Sequence, residues 1–213
     1  MRSRMQFSTL KTIGVSLAGL CVAVVVSAQS PGPTAPVGIE KGYGSKSAPI
    51  HMEVFSDFQC PACRGLYEAT LRQVIANYVA TGKVYLIHRD MPLPNHPHAR
   101  TAARYANAAA KIGKMESVIS ALYANQDRWS ADGNIDAVVA SVLTPAEMRQ
   151  VRELVRAQEI ERAIDADVAL ARQRQVRSTP TIFITHKGRI TPLPPGGVSY
   201  QLLKQYFDYL LQQ

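Results

Sequence analysis

Two cysteines separated by two residues, in the segment Cys60-Pro61-Ala62-Cys63, have the types and spacing most suited to chemistry in this chain. Cysteines at positions i and i+3 of a helix lie on one face, close enough for a disulfide to form or open with little backbone movement. A short, mostly apolar run at residues 50–55 precedes them and predicts a buried strand. The cysteines therefore fall where a strand ends and a helix begins, and their chemistry would be the making, breaking or reshuffling of disulfides.

The position of Cys60 predicts an activated thiol. At the N-terminus of a helix, unpaired backbone N–H groups and the positive end of the helix dipole stabilise a thiolate. Pro61 suits the first helical position because it lacks an N–H that would be left without a partner there. Thiols in such settings have pKa values lowered by roughly one to five units from about 8.5. We therefore predict that Cys60 is the attacking thiol, and also the leaving group when a substrate takes the disulfide. Cys63, one turn deeper, is predicted to be the resolving thiol.

Two other interpretations of the cysteine pair are weaker. A structural disulfide closing so short a loop would remove little entropy from the unfolded chain. A zinc site would need two further ligands. The candidates, His96 and His98, are separated by Pro97, and the sequence has no second CxxC motif. The sequence therefore predicts no metal ligands.

The N-terminus has the features of a secretory signal. Positive charges occur there without any acidic residue before Glu40, an apolar run covers residues 13–26, and small residues end at Ala28. We predict a signal peptide over residues 1–28. The alternative is an uncleaved membrane anchor, although the apolar run is shorter than the about 20 residues that usually span a membrane.

The remaining chain is long enough for one packed domain and short for two. Removal of residues 1–28 takes away three positive charges and no negative ones, so the formal net charge falls from +8 to +5. This is a mildly basic surface without the Lys/Arg block interleaved with aromatics that nucleic-acid binding would favour. Residues 29–47, rich in Pro, Gly and Ser, are predicted to form a flexible arm, and residues 48–213 a single domain.

The order of predicted elements is β-α-β, a helical block, then β-β-α. Apolar residues recur at helical spacing from the cysteines to Gly82, and a second strand follows at residues 84–88. Residues 95–176 are almost wholly helical in pattern, and Thr144 and Glu147 flank Pro145 as a capping box. A β-hairpin at 181–191 and an amphipathic helix at 202–211 complete the chain.

This order resembles a thioredoxin fold with a helical insertion, an α/β fold with an inserted all-helical subdomain at about 95–176. Three segments are similar to those of DsbA-like thiol–disulfide oxidoreductases: the active-site segment FSDFQCPACR at 55–64, the segment RDMPLPNHP at 89–97 entering the insertion, and STPT at 178–181. The resemblance covers roughly residues 40–211, nearly all of the predicted domain.

The resemblance implies that the loop at Thr179-Pro180 faces the cysteines. Pro180 would then be cis, leaving the preceding backbone free to pair with an extended substrate peptide. The alternative is an ordinary trans proline that opens an edge strand. Together with Pro61 and Ala62 between the cysteines, Thr179 is predicted to contact substrate.

The resemblance also places a buried acid beneath the active site, at Glu53. A carboxylate there would accept or relay the proton of Cys63. The alternative is a strand residue paired with Lys or Arg. We count Glu53 and Pro180 with the two cysteines as candidate catalytic residues.

These expectations together predict an extracytoplasmic, periplasmic and monomeric enzyme that forms disulfides in secreted proteins. Its substrates would be reduced or misfolded secreted proteins, and its redox group the Cys60–Cys63 disulfide, with no organic cofactor. The resemblance implies a quinone-linked membrane partner that reoxidises it.

An isomerase or reductase is the alternative, because Ala62 departs from the Pro-His pair of the best-known oxidases. The arm before Ile50 is too short for the dimerisation domain of secreted isomerases. A third interpretation is a peptide-binding chaperone without redox turnover.

Overall fold

A mixed β-sheet forms the centre of the fold in the computed structural model, which describes residues 39–213. The order of the five strands within this range is β1-β3-β2-β4-β5. β2 runs parallel to β3 and antiparallel to β4. The strands are β1 (Gly42–Tyr43), β2 (Ile50–Ser56), β3 (Val84–Asp90), β4 (Thr181–His186) and β5 (Arg189–Pro192). This is the predicted thioredoxin-like sheet with one additional edge strand.

The additional strand, β1, corrects the prediction of a flexible arm over residues 29–47. Gly42 and Tyr43 pair with Ile87 and Leu86 at the edge of β3. The ammonium group of neighbouring Lys41 is buried and bound to carboxylates far along the chain. Composition carries no sign of such distant partners, so the ordered end of this segment could not be predicted. The predicted signal peptide and the arm up to residue 38 lie outside the described residues.

A long helical run connects β2 to β3 and carries the cysteines. It begins as α1 (Pro61–Leu66), continues through a π-helical segment (Tyr67–Leu71) and α2 (Arg72–Val74), and ends with a second π-helical segment (Ile75–Val79). Its apolar side chains recur on the face that packs against the sheet, as the spacing predicts. β2, this run and β3 form the predicted βαβ unit.

The predicted helical insertion is present between β3 and β4. Its helices are α3 (Ala99–Lys111), α4 (Met115–Ala124), α5 (Gln126–Asp132), α6 (Ile135–Ala140), α7 (Pro145–Leu154) and α8 (Gln158–Gln173). The predicted capping box begins α7: the Thr144 hydroxyl accepts from the Glu147 N–H at 3.3 Å, and the Glu147 carboxylate accepts from the Thr144 N–H at 2.8 Å. Trp129 of α5 is completely buried within the insertion.

The two faces of the sheet are both covered, which sets the direction of each strand side chain. Met52 and Val54 of β2 point into the main core, between the sheet and the helices. Phe55 points to the other face and packs with Phe183 and with Ala171 of α8. The amphipathic C-terminal helix α9 (Tyr200–Leu211) packs on the main core. Within residues 39–213, no helix is both long and apolar enough to cross a membrane.

Candidate active site

Cys60 occupies the N-cap position of α1, as the sequence predicts. Its backbone carbonyl accepts the N–H groups of Cys63 and Arg64 at 3.1 and 3.2 Å, and Pro61 occupies the first helical turn. Both cysteines are free thiols, 7% exposed at Cys60 and 1% at Cys63. Pro61 and Ala62 are exposed between them, so the motif reaches the surface at Cys60 and the interior at Cys63.

The two thiols have opposite acidities. The hydrogen bond from Cys63, together with the backbone N–H groups of Cys63 and Ala62, lowers the pKa of Cys60 to about 5, although burial opposes the shift. Burial, together with the hydrogen bond to Cys60, raises the pKa of Cys63. The reduced site therefore holds a Cys60 thiolate that accepts a hydrogen bond from the protonated Cys63 thiol.

The loop before β4 lies against the attacking thiol. The Thr179–Pro180 peptide bond is cis, as the resemblance implies. The Cys60 sulfur is 3.6 Å from the Thr179 carbonyl oxygen. Beside it, an open groove of about 390 Å³ runs between the exposed face of α1 and the loop before α9, lined by residues that include Ala62, Leu66 and Gly197. The structure thus brings Thr179 and Pro180 to the cysteine motif.

Glu53 is not brought to the thiols, which corrects its predicted position. Its carboxylate accepts hydrogen bonds from Arg89 at 2.6 and 2.9 Å and is also bound to Arg174. Burial alone would raise the pKa of Glu53, but the hydrogen bonds from Arg174 and Arg89 outweigh it and lower that pKa. Glu53 is therefore an ionised partner of two arginines.

The alternation of β2 explains this position. Met52 and Val54, on either side of Glu53, point into the core that contains Cys63, so Glu53 points to the other face with Phe55. Because both faces of β2 are buried, the sequence alone could not show on which face the acid lies. The structure favours the alternative of a strand glutamate paired with arginine.

Asp57 is a site residue that the sequence reasoning missed. Its fully buried carboxylate accepts the backbone N–H groups of Gln59 and Leu93, both at 2.7 Å, and contacts His96 Nδ1 at 2.8 Å. Its own N–H points to the Cys63 sulfur at 3.4 Å. Asp57 thus ties the turn before the cysteines to the segment that enters the insertion. An Asp three residues before a helix N-cap is a signal that could have pointed to it.

The insertion also holds the active-site turn through Gln126 of α5. This buried amide donates to the carbonyl oxygens of Phe58 at 2.7 Å and Cys60 at 3.0 Å. In α4, the Tyr123 hydroxyl lies 2.8 Å from the Ser56 hydroxyl. Neither contact has a signal in the local sequence, because each joins residues more than sixty positions apart.

An acidic thiol at a helix N-terminus, a protonated partner thiol and a cis-proline loop, all on a thioredoxin-like sheet with a helical insertion, define a thiol–disulfide oxidoreductase. In this class the redox group is the cysteine pair itself. Among the described residues, no group of three or more His, Cys, Asp or Glu side chains is arranged to hold a metal ion.

The chain belongs to the thioredoxin family, whose family model matches residues 38–202. Its fold is similar to that of BdbD from Bacillus subtilis in the oxidised form, with a TM-score of 0.69 and 17% identity, covering 82% of this chain and 94% of that one. It is also similar to DsbA2 from Pseudomonas aeruginosa, with a TM-score of 0.61 and 23% identity, covering 81% and 94%. These likenesses make the fold DsbA-like.

Two relatives show how the same domain occurs in other proteins. The probable disulfide bond formation protein D of Bacillus cereus is 24% identical over 151 residues, which are 68% of this chain and 69% of that protein. The Na(+)/H(+) antiporter NhaA 3 of Salinispora tropica is 30% identical over 142 residues, 66% of this chain. The match spans 21% of the antiporter's length.

Proposed function

We propose that this protein is an extracytoplasmic oxidase that forms disulfides in secreted proteins by exchange through Cys60 and Cys63. The observation that carries the proposal is the stabilised Cys60 thiolate. A site that stabilises its reduced form gives up its disulfide readily, and this makes the disulfide a strong oxidant. A low thiol pKa also makes Cys60 a good leaving group when the oxidised substrate departs.

The reaction transfers two electrons from substrate to enzyme. A substrate thiolate attacks the Cys60 sulfur of the disulfide, a substrate–Cys60 disulfide forms, and the Cys60–Cys63 bond breaks. Its electron pair goes to the Cys63 sulfur, which takes up a proton. A second substrate thiolate then attacks the first substrate sulfur, which completes the substrate disulfide and releases the Cys60 thiolate.

The surroundings of Cys60 support binding of an extended peptide. The exposed Pro61-Ala62 segment and the Thr179 backbone flank Cys60, and the groove beside α1 begins at Ala62. Backbone groups before β4 offer main-chain pairing, which does not depend on the side chains of the substrate. This suits an enzyme that acts on many reduced or misfolded proteins.

Turnover requires a partner that reoxidises the dithiol, and we propose a quinone-linked membrane protein as that partner. Location outside the cytoplasm is supported by the charged start and apolar run of residues 1–28. The proposed periplasmic enzyme acts as a monomer.

A redox titration of the Cys60/Cys63 pair against glutathione buffers tests the proposed direction. An oxidase is expected to have a potential above about −200 mV, whereas a reductase would lie near about −270 mV. The extent of reduction is read by mass after the free thiols are alkylated. A potential in the reductase range would overturn the oxidase and favour the alternative of a disulfide reductase.

The chaperone interpretation is separated by a Cys60→Ala/Cys63→Ala double variant. An oxidase loses all disulfide formation in a reduced, unfolded test protein, while a peptide-binding chaperone keeps its suppression of aggregation. Unchanged activity of the double variant would contradict the proposed function.

A further inference from the structure

A small polar cavity lies in the main core, between the β2–β3 face and the helices that cover it. Its volume is about 20 Å³, enough for one water molecule. The polar side chains that line it come from β1, β2, β3, the first π-helical segment and α4: Tyr43, Ser56, His88, Tyr67, Glu116 and Tyr123. The mechanism above uses none of them.

Three polar atoms of this lining are buried without a hydrogen-bond partner among residues 39–213. They are the Tyr43 hydroxyl oxygen, the Glu116 Oε2 and the His88 Nε2. The other carboxylate oxygen of Glu116 accepts the Tyr67 hydroxyl at 2.5 Å. A buried polar atom left unpaired costs about 1–3 kcal/mol. One water molecule in the cavity would supply partners to the Tyr43 hydroxyl and the Glu116 Oε2, because buried waters typically make about three hydrogen bonds.

The cavity also reaches the resolving thiol. Ser56 lies near enough to Cys63 to lower the pKa of its thiol. The Ser56 hydroxyl lies 2.8 Å from the Tyr123 hydroxyl. The Tyr123 ring stacks on the Tyr67 ring, with 5.0 Å between their centroids. Hydroxyl groups therefore extend from Cys63 to one side of the cavity, and Glu116 lies on the same lining.

We propose that a water molecule bound in this cavity connects Glu116 to Cys63, and that Glu116 supplies the proton which Cys63 takes up when the Cys60–Cys63 disulfide opens. The inference deepens the proposed function, since it concerns the proton of that same exchange. When the S–S bond breaks, the electron pair remains on the Cys63 sulfur. The proton of Glu116 shifts to the water, and protons shift in turn through the Tyr123 and Ser56 hydroxyls to the sulfur. On reoxidation the same proton returns to the Glu116 carboxylate.

The electrostatics of the cavity agree with this direction. Burial raises the pKa of Glu116, although the hydrogen bond from the Tyr67 hydroxyl and the charge of Arg72 act against it. Tyr43 and His88 also face the cavity that the carboxyl lines. These groups face the carboxyl from the elements around it, and Tyr123 lines the cavity from α4, the helix of Glu116 itself. Glu116 therefore keeps its proton to higher pH than an ordinary glutamate. The raised pKa of Cys63 ensures that the sulfur receives it.

Glu53, the acid that the sequence predicted for this role, is unsuited to it. Two arginines hold it ionised on the other face of the sheet. Glu116 comes from the helical insertion, so the proton donor and the cysteines belong to different parts of the chain. Glu116 acts through other groups and is a positioning residue rather than a catalytic one.

The test measures how fast reduced glutathione opens the disulfide of the oxidised protein, over the acid to neutral pH range. Glu116→Gln is compared with wild type, and Glu68→Gln, an exposed glutamate on the first π-helical segment, is the matched control. The ionisation of the glutathione thiol affects both rates equally, so it cancels when the wild-type rate is divided by the variant rate at each pH. We expect Glu116→Gln to be slower by at least about tenfold at acid pH, where a positioned donor contributes.

The pH dependence separates a proton donor from a structural role. The Glu116→Gln ratio should fall toward one as the pH rises and wild-type Glu116 loses its proton, while the Glu68→Gln ratio stays flat. A loss of packing would instead slow the reaction equally at every pH. A flat ratio for folded Glu116→Gln would overturn the inference.

Tyr123→Phe is the second variant, because it removes one hydroxyl of the path and keeps the ring. It should reproduce the pH-dependent ratio of Glu116→Gln, and it decides the question if Glu116→Gln does not fold. If the wild-type disulfide does not react with glutathione at all, the proposed function fails. If it reacts normally and both ratios are flat, only the proton path fails.

Discussion

The Cys60 sulfur lies 3.6 Å from the backbone carbonyl oxygen of Thr179, a residue 119 positions later in the chain. The whole helical insertion lies between these residues in sequence, yet β2 and β4 are neighbours in the sheet and bring them together. A substrate sulfur that reaches Cys60 therefore passes the backbone of the Thr179–Pro180 loop. This contact joins the attacking thiol to the surface on which a peptide would lie.

The first prediction concerns the division of roles between the two thiols. Cys63→Ala should accumulate mixed disulfides with a reduced test protein, because Cys60 still attacks and no resolving thiol remains. The adducts are detected as mass-shifted species that disappear on reduction. Cys60→Ala should form none, since Cys63 is only 1% exposed and its pKa is raised by burial. Adducts on Cys63 would reverse the assignment.

The second prediction concerns the acidity of Cys60. Thiolate absorbance of the reduced protein should show a transition well below the ordinary thiol pKa of about 8.5, and Cys60→Ser should lack it. A single transition near the ordinary value would contradict the activated thiol.

The same shift makes the stability of the reduced protein depend on pH. A group whose pKa is lowered by folding adds stability that is complete above its unfolded pKa and is lost as the pH falls through its folded pKa. The free energy of unfolding of reduced wild type, relative to Cys60→Ser, should therefore decline as the pH falls from about 9 to about 5. Denaturant unfolding at several pH values measures it, and a difference independent of pH would contradict the shift.

Much of the fold follows from local chemistry that the sequence displays. The strand before Cys60, the Pro61 helix start and the capping box at Thr144 each depend on residues within a few positions of one another. The loop at Pro180 could be placed only through the resemblance, because its contact with Cys60 is distant in sequence.

The parts that could not be predicted are side-chain contacts between distant elements. Lys41 binds Asp167, 126 positions away, and Gln126 binds the turn at Cys60, 66 positions away. No spacing rule connects such residues. The face of the sheet to which Glu53 points could not be predicted either. On a strand buried on both sides, the alternation of side chains does not separate a polar face from an apolar one.

The third prediction concerns Glu53 as a structural residue. Glu53→Gln should reduce the free energy of unfolding by about 2 kcal/mol at neutral pH, because it leaves two arginines without their buried carboxylate. The loss should shrink as the pH falls below 4.5, since a carboxylate with a lowered pKa stabilises the protein only while it is ionised.

The exposed Glu153→Gln is the matched control and should change stability little. Because Glu53 lies on the face away from Cys63, Glu53→Gln should also leave the pH dependence of disulfide opening by glutathione unchanged. A variant that keeps full stability but slows this reaction would restore Glu53 to the proton-relay role.

The fourth prediction concerns the hold of the insertion on the active-site turn. Gln126→Leu keeps the size of the side chain but removes the donor to the Phe58 and Cys60 carbonyl oxygens. Two buried acceptors then lose a partner, and the free energy of unfolding should fall by about 1–3 kcal/mol. Denaturant unfolding followed by the fluorescence of the buried Trp129, three residues further along α5, measures the loss.

Gln73→Leu is the matched control, since its amide binds only the Ala69 carbonyl on an exposed surface. Equal stability of the two variants would show that α5 does not hold the turn through this amide.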